Sequence, residues 1–294
     1  MRSSLEGKLD LRGPSRRTTL GGLFAGGYAL AAGPANAQAI VTNEAGLRIE
    51  EAHFEGDGGY NLPYYLAAPE GDGPYPCVIV ANEVFGIHAY IKDVCRRLAR
   101  EGYVALAPDY FDRAGDPATL SDFAQIAPIV SATGQAQVLA DTEGAVQHLR
   151  RQRFASRQRI GITGFCWGGS IVWLAAARVA GLRAGVAWYG RLTPRRPGDF
   201  GYEANAIGPI DVVSELAVPV LGLYAQNDQG IPLESVDAMR QSLALSGNAS
   251  GSEIVVYPGT SHGFHADYRP AYNETAARDG WSRMLGWFRA HDVA

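Results

Sequence analysis

The short apolar run Arg159-Ile160-Gly161-Ile162-Thr163 leads through Gly164-Phe165-Cys166-Trp167-Gly168-Gly169 into a segment of helical character over residues 170–179. No other stretch restricts the fold as much. Glycines on both sides of one side chain let a strand turn sharply into a helix, with that side chain left standing on top of the turn. Such a turn needs a strand buried in a sheet and a helix packed back against it. It also sets Cys166 at a helix N-terminus, where the dipole favours an anion. The competing reading is an inert cysteine in a glycine-rich bend; the strand before and the helix after favour a displayed nucleophile.

The remaining pattern supplies the sheet. Residues 47–54 and 60–67 alternate around Glu55-Gly56-Asp57-Gly58-Gly59 and read as a hairpin. Then come continuous apolar runs at 77–81 (CVIVA), 103–107 (YVALA), 160–163, 185–189 (GVAWY), 218–224 and 253–257 (EIVVY), as expected of strands buried on both faces. Helical spacing fills the intervals at 90–100, 135–152, 170–179, 235–245 and 275–291. The alternation predicts an α/β fold with a mostly parallel sheet and helices on both faces, and the turn at Cys166 makes it an α/β-hydrolase fold. Residues 111–120 and 191–209 are rich in Gly, Pro and charge. Both follow strands, at the edge where such sheets place their sites, and neither is long enough for a large lid domain. A fairly open site is therefore expected.

In this fold the acid and the histidine follow the nucleophile in that order. Asp228, in Gln226-Asn227-Asp228, follows the run ending at 224, and His262, in Thr260-Ser261-His262-Gly263-Phe264, follows EIVVY. The histidine would take the thiol proton and later give it to the leaving alcohol, with the aspartate fixing its tautomer. His265 is the competing base. An oxyanion needs aimed donors: the N–H of Trp167, and one from Asn82-Glu83-Val84-Phe85-Gly86 after CVIVA, for which Val84 is chosen. Glu83 would then lie beside the thiol and bias its proton; its competing reading is a solvated loop acid.

The N-terminus reads differently. Arg16-Arg17 precedes a Gly- and Ala-rich apolar stretch at 20–32, and then Ala35-Asn36-Ala37. This is the order of a twin-arginine signal peptide over residues 1–37, against the alternative of a basic tail or first helix. It predicts a precursor that meets the Tat export machinery, a periplasmic or secreted protein starting at Gln38, and a single domain over 38–294. Without residues 1–37 the chain would carry 21 basic and 28 acidic residues, a balance that serves solubility. Of three cysteines, Cys77 and Cys95 read as buried small apolar residues, with a disulfide between them left open.

NEVFGIH, GFCWGGS, QNDQGIP and TSHGF together resemble the dienelactone hydrolase family, over residues from about 62 to the end. The resemblance implies an α/β-hydrolase that opens unsaturated lactones with a Cys–His–Asp triad, here Cys166, His262 and Asp228. It implies that Glu83 is the family glutamate that meets the resting cysteine, that Arg113 receives a substrate carboxylate, and that Tyr189 is a pocket aromatic. Where well-known members carry a second arginine four residues after the histidine, this chain has Ala266; Arg269 is the next arginine along. That departure, like the export signal, moves the expected substrate away from dienelactone itself and toward neutral esters and lactones.

Other classes fit less well. A net charge of −4 without basic clusters gives no nucleic-acid footprint, and no apolar run reaches the 18 or more residues of a membrane span. Neither a metal cluster nor a phosphate loop nor a dinucleotide fingerprint occurs, so neither metal nor cofactor is expected. A thiol redox protein would want a C-x-x-C partner. The expected activity is hydrolysis of a small ester or lactone through a thioester; acyl transfer on the same scaffold and a non-catalytic ligand-binding homologue are the alternatives.

Overall fold

The computed structural model describes residues 39–247 and 251–294; the signal reading over 1–37 lies outside them. Strand β1 (Leu47–Glu55) pairs antiparallel with β2 (Asn61–Pro69) across the glycine turn at 56–59, as the alternation predicts. Next come β3 (Tyr75–Ala81), α1 (Ala89–Arg100), β4 (Val104–Pro108), α2 (Phe123–Ala132) and α3 (Gln135–Arg151). They are followed by β5 (Ala155–Phe165), α4 (Trp167–Arg178), β6 (Gly185–Trp188), β7 (Val220–Ala225), α5 (Leu233–Leu245), β8 (Glu253–Tyr257) and α6 (Glu274–Ala290). The eight strands form one sheet in the order β1-β2-β4-β3-β5-β6-β7-β8, and β4 through β8 are parallel.

Composition explains the centre of this sheet. Cys77–Ala81, Val104–Ala107 and Val186–Trp188 are solvent-free, which continuous apolar runs require and an alternating strand would not tolerate. Cys77, Cys95 and Cys166 are all free and buried. The strand order switches beside β3, and at such a point a parallel sheet places its ligands on the carboxyl edge.

The helix Phe123–Ala132 is not in the sequence reading. Pro128 lies inside it, and proline reads as a helix breaker because it lacks an N–H. Its start is secured by Asp122, whose side chain accepts the Ala124 N–H at 2.9 Å. Phe123, Ile126 and Val130 join Val84, Phe111 and Trp167 in one buried cluster over the carboxyl edge. The edge is accordingly less open than expected, and Cys166 is only 2% exposed.

Candidate active site

Cys166 stands between β5 and α4 with φ +56° and ψ −113°, a conformation L-residues avoid unless their surroundings enforce it. The enforcement is visible. The Cys166 N–H donates to Trp188 O at 3.0 Å, locking the turn to β6. A Cβ on Gly168 would lie 2.2 Å from Ala81 O, and one on Gly169 would lie 2.5 Å from Trp188 O. Only glycine lets the first turn of α4 wedge between the ends of β3 and β6. That approach brings the Trp167 end of α4, whose first N–H groups lack intrahelical acceptors, against the loop of Glu83 and Val84. Val84 and Trp167 are both buried there, with the Trp167 ring 4.8 Å from that of Phe111.

The other two candidate triad residues meet at the same edge. Asp228 follows β7 and His262 follows β8, and Asp228 Oδ2 lies 2.6 Å from His262 Nδ1. The second carboxylate oxygen, Oδ1, accepts the N–H groups of Gly230 at 2.8 Å and Ile231 at 3.1 Å, so the acid is fixed in direction. With Nδ1 engaged, Nε2 is the nitrogen left for Cys166, whose charge acts on the imidazole. Burial pushes the His262 imidazole down, but Asp228 and Cys166 outweigh it and carry it up to about 10.

His265, the competing base, is committed elsewhere. Its Nδ1 lies 2.6 Å from the Tyr90 hydroxyl, and burial together with the Arg97 charge pushes it down to about 3. Tyr189 follows β6 with φ +38°, its ring edge-on to His262 at 5.1 Å. Burial first, and then the nearby Tyr90 and Glu83, raise its hydroxyl well above the usual phenol range.

Glu83 is neither a solvated loop acid nor a direct partner of the thiol. It is fully buried and paired with Arg269, Oε1 to Nη2 at 3.1 Å, with both side chains solvent-free. Oε2 accepts the Tyr268 hydroxyl at 2.8 Å and faces His88 Nε2 at 3.3 Å. Burial alone would raise this carboxyl, but Arg269, His88 and Tyr268 together hold it down at about 2. Arg269 also stacks over Phe85, 4.9 Å from its centroid, and Cys166 acts on its charge. Arg269, three residues after Ala266, is the guanidinium that meets Glu83. No local pattern marked Tyr90, His88 or Tyr268 for this cluster.

Arg113 is not brought into this group. It forms a bidentate pair with buried Asp141 at 2.7 and 2.9 Å, donates to Asp57 O at 3.1 Å, and stacks on Tyr60 at 4.1 Å. In the structure its donors tie α3 to the β1–β2 turn, where the sequence reading expected a receptor for a substrate carboxylate. Among the described residues there is no group of three or more His, Cys, Asp or Glu that could hold a metal, and no helix is long and apolar enough to cross a membrane.

An eight-stranded, mostly parallel sheet with a glycine-bracketed cysteine at its carboxyl edge is an α/β-hydrolase arrangement. The chain belongs to the dienelactone hydrolase family, whose model matches residues 62–292. A provisionally named carboxymethylenebutenolidase of Methylorubrum extorquens is 45% identical over 285 residues, 95% of this chain and 94% of the relative. A provisionally named dienelactone hydrolase from Klebsiella pneumoniae, solved by crystallography, superposes with a TM-score of 0.75 at 44% identity, covering 83% of this chain and 98% of that one. A provisionally named 2-oxo-3-(5-oxofuran-2-ylidene)propanoate lactonase of Bradyrhizobium is 32% identical over 236 residues, 80% of this chain and 92% of its own length.

Proposed function

We propose that the protein hydrolyses a small carboxylic ester or lactone through a covalent thioester on Cys166. The observation that carries this reading is the convergence, at one sheet edge, of a cysteine in an enforced turn with an imidazole held at 2.6 Å by a fixed aspartate. His262 takes the Cys166 proton and the sulfur attacks the carbonyl carbon. The N–H groups of Trp167 and Val84 receive the oxyanion. Collapse breaks the acyl C–O bond, and the leaving alkoxide, which in a lactone stays tethered, takes the proton from His262. Water then attacks the thioester with His262 again as base, releasing the acid and restoring the thiol.

The family and the named lactonase relative support a lactone, and the balance of charge supports a neutral one. Arg269 is neutralised by Glu83 in the free protein, and Arg113 by Asp141. A substrate carboxylate would therefore have to compete with a protein carboxylate for either cation. Neutral aryl acetates and simple lactones should be turned over at least as well as dienelactone, judged by kcat/KM. Cys166→Ala should lower kcat about a thousandfold or more; wild-type turnover in that variant would end the cysteine mechanism. We also propose export by the twin-arginine route, a reading supported by Arg16-Arg17 and Ala35-Asn36-Ala37.

A further inference from the structure

A second cavity lies between the C-terminal half of α1, residues 40–42 and the first half of α6. Its volume is about 970 Å³, and none of Cys166, Asp228, His262 or Trp167 lines it. Small-molecule pockets run to about 300–1,000 Å³, with apolar and aromatic walls and a few placed polar groups. Here the rings are Trp281, Tyr272 and His265, and Ile40 and Ala277 add apolar wall. The Trp281 and His265 rings are nearly parallel, their planes 15° apart and their centroids at 5.7 Å. His265 is only 3% exposed, and its Nδ1 lies 2.6 Å from the hydroxyl of buried Tyr90. That hydroxyl has no other acceptor among the described residues, so its hydrogen goes to Nδ1. The reverse direction would bury a phenol hydrogen without a partner. The ring, kept neutral by burial and the Arg97 charge, then carries its own proton on Nε2. This second nitrogen is an N–H donor without an acceptor among the described residues, in a side chain that lines the cavity.

The charges at the cavity balance. Arg97 is held between Asp93 and Asp267, and Arg278 pairs with Glu274 at 2.8 Å. Arg100 gives its donors to Asn43 and to the Ala45 carbonyl, with Glu101 next in the chain. An anion would therefore meet a protein carboxylate beside each cation. We propose that this cavity is a second binding site, for a small neutral planar molecule whose carbonyl oxygen accepts the His265 Nε2–H while its ring lies along Trp281. Aromatic amides, esters and lactones form the ligand class. The ring walls supply apolar area, and the buried donor supplies direction, because it gains an acceptor only when the ligand enters. The inference stands apart from the hydrolase reading, since no catalytic residue lines the cavity.

The test is a titration with benzamide, which is neutral and planar and carries a carbonyl. Trp281 forms one wall, so binding is read by tryptophan fluorescence with the trace of W281F subtracted. Benzamide should saturate with a Kd on the order of 1 mM, the range of so small a ligand. Aniline, a neutral ring without a carbonyl, should bind about tenfold more weakly, the scale of one hydrogen bond. H265F removes the donor and A277F fills the cavity from α6; each should weaken benzamide by about tenfold or more. If H265F does not fold, A277F and the aniline comparison decide. No saturation at about ten times that concentration would overturn the proposal. So would benzamide binding unchanged in A277F, because the ligand would then lie elsewhere. Aniline binding as tightly as benzamide would refute the role of the His265 donor. Benzoate binding more tightly than benzamide would refute the neutral ligand class, because a cation would then select the ligand.

Discussion

Replacing Arg269 by Met tests the buried ion pair on which the site is built. The pair is 3.1 Å apart with no solvent on either side chain, so at an effective dielectric of about 20 the attraction is roughly 5 kcal/mol. Methionine keeps most of the volume and removes the charge. Glu83 is then left with Tyr268 and His88, and breaking a buried pair from one side costs about 3–5 kcal/mol if the other charge stays. Protonation limits that cost. From its ordinary value of 4.5, neutralising the carboxyl at pH 7 costs about 3.4 kcal/mol at about 1.4 kcal/mol per pH unit. The signs of the two proteins differ. In the wild type the depressed carboxyl contributes stability that is present above 4.5 and lost as pH falls toward about 2. In the variant the carboxyl is raised, so its penalty is absent below 4.5 and grows as pH rises. Urea denaturation should therefore show R269M less stable by about 3 kcal/mol at pH 7 and by less than about 1 kcal/mol at pH 5. The corresponding loss in Tm at pH 7 is about 6 °C for a domain of this size. A second substitution, E83Q in the R269M background, should recover much of the loss at pH 7. A cost equal at pH 5 and pH 7, or one below about 1 kcal/mol at both, refutes the reasoning.

Three further outcomes are expected. Asp228→Asn keeps the acceptor for Gly230 and Ile231 but turns an amide N–H toward His262 Nδ1; the imidazole must then carry its proton on Nε2, and kcat on an aryl acetate should fall by about 10⁴. A loss under about tenfold would count against His262 as the base. Arg113→Met breaks the pair with buried Asp141 and should cost about 3 kcal/mol in urea denaturation, with the preference between neutral and anionic substrates unchanged. A selective loss on anionic substrates at full stability would return Arg113 to the substrate. Mass spectrometry of exported protein should find Gln38 at its N-terminus, and an intact Met1 in that material would contradict the export proposal.

The sequence by itself determined the sheet, the turn and the order of the three candidate triad residues. Runs such as Cys77–Ala81 and Glu253–Tyr257 fall within a residue or two of their strands because burial on both faces is written locally, as an unbroken apolar stretch. The Cys166 turn was legible because glycine is the only residue that tolerates the approaches seen at Gly168 and Gly169. Asp228 and His262 were legible because strand ends share one edge whatever the side chains beyond them do. Pairings between distant segments were decided by the tertiary structure alone. Whether Arg113 faces a substrate or Asp141, and whether Glu83 faces Cys166 or Arg269, depends on which buried opposite charge lies nearest after folding. The helix at Phe123–Ala132 is of the same kind: Pro128 weakens its local preference, and the apolar cluster under it supplies what the local sequence lacks. A buried charge must find a partner, but its own neighbours in sequence do not say which.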